Sequence, residues 1–288
     1  MAKKYNICIL ANNVEYLDVL LRNFPGIEKA NFIVVNEVRY KPCYNELKEV
    51  LDKYGVQYDL IRSSTVCKFV YDRIRFSGLQ LTEQGMQFFK SYRMGMKVLL
   101  PYYMLMRCQG KVWLCDDDCI FLPGWETLFE CDVPNLHKAP FVNYFRPGQD
   151  YTDFFLKLAE CDDETWKRNY VLNGHFMMSR KWYELDDMLD MIVEFFNSEV
   201  CQLWWEKYLS GKNTGRGWFL DMNWFNALHI HLLKKKELSL GRICELAWIG
   251  KGEKKQIRKP GKKKVFIHYA IREKQAFLDL AIKEKIII

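Results

Sequence analysis

Lys111-Val-Trp-Leu-Cys-Asp116-Asp117-Asp118-Cys-Ile-Phe-Leu122 is the stretch that decides the fold. An apolar strand runs into three consecutive aspartates and then resumes as apolar sequence. Carboxylates set among apolar residues are costly unless a cation or hydrogen-bond donors compensate them. Strand side chains alternate, so Asp116 and Asp118 are expected on one side and Asp117 on the other. Two carboxylates on one side suit a hard divalent cation such as Mn²⁺ or Mg²⁺. Such an ion bridges a diphosphate and neutralises charge as a phosphate–sugar bond breaks. The alternative is a surface turn of solvated aspartates, which the flanking Trp113, Leu114, Ile120 and Phe121 oppose.

Upstream, strand and helix signals alternate. Ile7–Leu10 is an apolar run ending in Asn12-Asn13, and Tyr16, Leu17, Val19, Leu20 and Leu21 follow with helical spacing. Phe32–Val35 is a second strand, Leu47, Val50, Leu51 and Tyr54 mark a helix ended by Gly55, and Tyr58–Ile61 is a third strand. This order predicts an α/β fold, a parallel sheet with helices on its faces and its ligand beyond the strands' carboxyl ends. One long helix is expected from Thr82 to Leu100, with Pro101 as its stop or kink and Lys90, Arg93 and Lys97 on a single face. Aromatic-rich helical stretches follow at Trp182–Phe196 and Leu203–Leu209, and Val265–Tyr269 reads as a strand. The simplest organisation is one domain over 1–288. Residues 1–125 would form the nucleotide-binding half, and 126–288 an acceptor half with a closing C-terminal segment.

With 49% hydrophobic residues, the chain has ample material for a packed core and is not disordered throughout. A net charge of +7 suits an acidic partner such as nucleotide phosphates, a nucleic acid or an anionic membrane surface, although simple solubility accounts for it equally. The ten cysteines lack framework spacing, which points to a reducing compartment and to small buried apolar roles. Tyr5–Ala11 is too short for a signal-peptide core, and no apolar run approaches the roughly 20 residues of a membrane span. A soluble, cytoplasmic protein is the expectation.

Val265-Phe-Ile-His268-Tyr places a histidine at the end of an apolar strand, where a core role competes with a ligand role. Taken with the acidic strand, it completes a resemblance. The chain resembles the glycogenin-like retaining nucleotide-sugar glycosyltransferases, family 8 of the sequence classification, which have the GT-A fold. The resemblance runs over about residues 5 to 277 in five motifs. They are Asp116-Asp117-Asp118, Lys97 four positions before Pro101, Asn173-Gly174, Asp221-Met222-Asn223-Trp-Phe-Asn226, and His268-Tyr-Ala-Ile271-Arg-Glu-Lys274. It implies that Asp116, Asp118 and His268 hold Mn²⁺ and that Lys274 contacts the donor phosphates. It further implies that Asn12, Asn13 and Tyr16 meet the uridine of a UDP-sugar. Lys97, with Arg93 one turn away, would reach the sugar or phosphates, and Asn173 and Asp221 would lie near the transferred sugar. Asp117 would contact the sugar or ribose, or serve structurally. Met222 stands where the family has glutamine, Ile271 where it has glycine, and Lys97 where it has arginine. These departures fall at donor contacts and leave the metal ligands intact.

The acceptor is addressed by two basic clusters, Lys234-Lys235-Lys236 and the lysines and arginine between Lys251 and Lys264. Such clusters attract phosphate backbones, and Trp204, Trp205 and Trp218 could stack on bases, so hydroxymethylated bases in DNA are one acceptor class. Lipopolysaccharide or another glycan, approached over an anionic membrane surface, is the second. A solvated lysine-rich loop is the third account of the same residues. Two other classes of function remain, a metal-dependent nuclease and a non-catalytic nucleic-acid-binding module.

Overall fold

The computed structural model describes residues 4–36, 43–91, 95–130, 135–137, 152–169, 175–203, 220–232, 239–241, 244–246, 265–269 and 274–288. Strand β1 (Tyr5–Ala11) leads into helix α1 (Val14–Arg22), and β2 (Ala30–Asn36) into α2 (Tyr44–Lys53). Asn13 caps α1 by accepting the Tyr16 amide at 3.2 Å, with Glu15 in the first turn and Arg22 in the last, both signs matched to the helix dipole. Gly55 turns the chain out of α2 at φ +60°, the left-handed region that glycine enters without steric cost. β3 (Tyr58–Arg62), α3 (Ser63–Phe76), α4 (Glu83–Ser91), α5 (Gly95–Arg107), β4 (Lys111–Asp116) and β5 (Cys119–Phe121) follow. The remaining elements are β6 (Asn135–His137), α6 (Thr152–Leu158), α7 (Asp163–Asn169), β7 (Phe176–Ser179), α8 (Leu185–Asn197) and α9 (Leu220–Leu232). β8 (Ser239–Gly241), β9 (Cys244–Leu246), β10 (Phe266–His268) and α10 (Lys274–Lys283) close the chain.

The central sheet runs β3-β2-β1-β4-β7-β6-β8. Its first four strands are parallel, and β7 then pairs antiparallel with both β4 and β6. This is the mixed α/β architecture expected, with helices packed on the sheet. Strands covered on both faces carry continuous apolar runs, which is why Ile7–Ala11 and Phe32–Val35 are buried without alternation. A second sheet, β5-β10-β9, stands beyond the end of β4. It has a small core of its own, in which Ile120 and Ile267 meet Phe277, Leu278 and Ala281 of α10. Among the described residues no helix is long and apolar enough to cross a membrane.

The helix expected from Thr82 to Leu100 is described in two parts, α4 and α5, and residues 92–94, Arg93 among them, lie outside the described residues. Of the two roles expected of Pro101, a stop is excluded, because it sits inside α5. A helix-interior proline costs ~3 kcal/mol through its lost N–H bond and ring clash. Met96, Val98, Leu99, Leu100, Tyr102, Tyr103, Met104 and Leu105 are all buried along α5. At roughly 1.5–3 kcal/mol for each buried large side chain, that burial outweighs the proline. The helical stretch expected at Leu203–Leu209 lies outside the described residues beyond Leu203.

α9 packs on β7 through His229, a fully buried histidine whose Nδ1–H donates to the Phe225 carbonyl at 2.6 Å and whose ring meets Phe176 edge-on at 4.8 Å. Burial pushes its pKa down to about 4 from 6.5. The unfolded chain therefore binds a proton between these values that the native state refuses. Stability contributed by the neutral ring is complete above about pH 6.5 and is lost as pH falls towards 4. Compared with wild type in urea titrations across that window, His229→Phe should lose about 3 kcal/mol of pH dependence. Parallel curves for the two proteins would show that this ring does not titrate as described.

Candidate metal centre

The site forms where the carboxyl ends of β1 and β4 lie side by side, Leu10 opposite Asp116 in register. Each of the three aspartates takes a different partner. Asp116 ends β4 and is partly exposed, and its Oδ2 accepts from Lys97 Nζ of α5 at 2.7 Å. Asp117 is buried and turns to the loop after β1, where its Oδ2 accepts the backbone N–H groups of Asn12 and Asn13, each at 2.7 Å. Asp118 is buried and faces the C-terminal segment. Lys274 Nζ donates to its Oδ2 at 2.5 Å, and its backbone carbonyl accepts from the Tyr269 amide at 3.0 Å.

The electrostatics separate these carboxyls. Burial, reinforced by the neighbouring Asp118, pushes Asp117 up to about 7 against the opposing pull of the two amides. Burial acts on Asp118 in the same direction, but His268 and Lys274 override it and hold that carboxyl far below the ordinary range. The Lys274 ammonium is likewise opposed by burial, which Asp118 outweighs, so its pKa is raised. Lys274 also lies over the Tyr16 ring, 5.2 Å from its centroid.

His268 comes from β10, where it pairs with Cys119 of β5. Its Nε2 lies 3.2 Å from Asp118 Oδ1, yet that oxygen is buried and makes no hydrogen bond among the described residues, and neither does His268 Nδ1. An imidazole nitrogen and a carboxylate oxygen this close would both be in reach of one cation, and without one they form an ion pair. Asp116, Asp118, His268 and His175 each offer a ligand atom, and these atoms all lie within 4.8 Å of one another. The donor set fits a divalent cation.

Of the residues singled out in the sequence, Asn12, Asn13, Tyr16, Lys97, Asp116, Asp117, Asp118, His268 and Lys274 converge here. Asp221 is placed as the second residue of α9, and Arg93, Asn173, Gly174 and Ile271 lie outside the described residues. So do the basic clusters at 234–236 and 251–264, together with Trp204, Trp205 and Trp218. His175 was missed. Its signal was its place one residue before the buried strand Phe176–Ser179, whose antiparallel pairing with β4 brings it to the aspartates.

No family model and no curated protein matches the chain. Among solved structures, mouse xyloside xylosyltransferase 1 in its apo form has a TM-score of 0.51 at 12% identity, over 93% of this chain and 98% of that one. The two share a fold. Two structures of the glycosyltransferase GlyE from Streptococcus pneumoniae TIGR4 are more distant, at TM-scores of 0.32 and 0.36 and 11% and 10% identity. They align over 79% and 99% of this chain, which spans only 43% and 64% of theirs.

Because one carboxylate oxygen of Asp117 satisfies two backbone amides, Asp117→Ala strands both donors at the base of the site. The cost should be about 2–4 kcal/mol, whereas Asp117→Asn, which keeps an acceptor oxygen, should cost less than about 1 kcal/mol. Urea unfolding of the two variants checks this. Equal costs would mean that the amides find water instead.

Proposed function

We propose that this chain is a metal-dependent glycosyltransferase that moves a sugar from a nucleoside-diphosphate donor, a UDP-sugar, to a hydroxyl of a glycan acceptor. The observation that carries this reading is the convergence of two carboxylates, imidazole and two ammonium groups at the carboxyl edge of the sheet. Asp116, Asp118 and His268 would hold Mn²⁺ or Mg²⁺. The bound ion would supply positive charge to the diphosphate as the glycosidic bond to it breaks.

The chain's own groups account for the rest. Lys274 and Lys97 already pair with the carboxylates, so both ammonium groups stand where a diphosphate would arrive and would stabilise it as it leaves. Asn12 supports uridine recognition, since its side-chain oxygen is buried without a hydrogen bond among the described residues and is an acceptor for a base N–H. Asn13 caps α1 through its Oδ1, and its side-chain amide and Tyr16, in the first turn of that helix, would complete the base contact. Asp117 shapes that loop and would act on the donor through it. The sugar–phosphate C–O bond breaks, the acceptor oxygen bonds to the same carbon, and the acceptor proton passes to the departing diphosphate. Asn173 and Asp221 would border the transferred sugar, and front-face attack would give retention of configuration. Residues 1–125 would carry the nucleotide and 126–288 the acceptor.

A glycan acceptor agrees with the fold neighbour named for a xyloside. A nuclease would need more carboxylates for a second ion, and among the described residues the cluster holds only Asp116 and Asp118 with two histidines.

The test incubates the protein with Mn²⁺ and UDP- or GDP-sugars, alone and with xylosides, other glycosides or hydroxymethylated DNA. Nucleoside diphosphate release should rise with a glycoside and fall at least about 100-fold in Asp118→Asn. Stimulation by the DNA alone would move the acceptor to nucleic acid. No release from any donor would sink the transferase reading.

A further inference from the structure

We propose that His175 is a fourth protein ligand of this centre, so that two imidazoles and two carboxylates hold the cation. The inference rests on the metal-centre reading above and adds a ligand, and with it a metal preference, that the resemblance does not supply.

Two strand pairings bring the imidazoles together from different sheets. β7 runs antiparallel to β4 with Phe176 opposite Leu114, so the residue before Phe176 lies alongside the aspartate end of β4. β10 runs antiparallel to β5 with His268 opposite Cys119, so His268 approaches from the far side of the three aspartates. The rings meet edge to face, centroids 4.2 Å apart at 76°. His175 is 1% exposed. The Asp116 amide donates to its Nδ1 over 3.4 Å, a hydrogen bond at the long limit that a cation would have to displace for Nδ1 to be the ligand atom. On the other side of the site, Asp118 Oδ1 is buried with His268 Nε2 3.2 Å away as its neighbour, so a carboxylate and an imidazole face each other where an ion could join them.

An imidazole in place of a water changes which ion is preferred. Carboxylate and water ligands suit Mg²⁺, which dehydrates reluctantly, whereas imidazole suits the later transition metals such as Zn²⁺ best and Mn²⁺, lowest in that series, by a smaller margin. A centre with two imidazoles favours Mn²⁺, Co²⁺ or Zn²⁺ over Mg²⁺, and His175 should account for much of that margin.

The experiment reads coordination without turnover. The full chain, labelled with ¹⁵N-histidine, is loaded with Mn²⁺ with and without uridine diphosphate and examined by pulsed electron paramagnetic resonance. Two histidine nitrogens are expected on the ion in wild type and one in either His175→Phe or His268→Phe. Binding titrations should show His175→Phe weakening Mn²⁺ on the order of tenfold and Mg²⁺ by less than about threefold. A single histidine nitrogen in wild type overturns the inference while leaving the centre in place. That count needs no variant, so a misfolded His175→Phe does not shield the proposal. No Mn²⁺ binding in either condition overturns the metal centre, and this inference with it.

Discussion

Three consecutive carboxyls at one strand end, two of them buried, impose the constraint on which the rest of the molecule depends. They cannot share one solution, because adjacent carboxylates repel and the site is too dry for water to screen them. Each is answered by a different part of the chain. Asp116 is met by α5, Asp117 by the turn after β1, and Asp118 by the segment that ends the fold, 156 residues away in sequence. The helix before the strand, the first loop and the C-terminal segment must therefore all arrive at one point. The topology of the sheet is the means by which they do.

The second sheet gives this arrangement its reach. β5 leaves the aspartates as a buried strand, and β10 pairs with it, so His268 is fixed by backbone hydrogen bonds rather than by a loop. Tyr269 then anchors the exit, its ring stacked on Phe277 at 13° and its amide bonded to the Asp118 carbonyl. α10 starts at Lys274, and its apolar face closes the small core over Ile120 and Ile267. Packing in that satellite core is thus what delivers both an imidazole and an ammonium group to Asp118.

Much of this was legible in the residues. Period-two burial is absent from β1 and β2 because helices cover both faces, and the continuous apolar runs that result are easily read. Asp116 to Asp118 and His268 were legible because a charged or titratable side chain closing an apolar strand demands a partner. That Pro101 does not end its helix was not legible, because tertiary burial along α5 exceeds a local penalty that the sequence states clearly. His175 was hidden because its meaning lies in the β4–β7 register, a pairing between segments some 60 residues apart.

The charges at the centre also bear on how its ligands would come together. Two carboxylates, Asp116 and Asp118, are paired with two ammonium groups, Lys97 and Lys274, so the cluster is close to neutral before any ion arrives. A divalent cation entering such a site meets less attraction than two bare carboxylates would offer, and it leaves a positive excess. A diphosphate removes that excess and gives both lysines a second anionic partner. On the proposed reading, cation and nucleotide would each bind better in the presence of the other, and by the same factor. Buried lysine–aspartate pairs are weak arguments for stability, because desolvation offsets most of their attraction. On the proposed reading, what the pairs contribute is the two ammonium groups they would offer to a diphosphate.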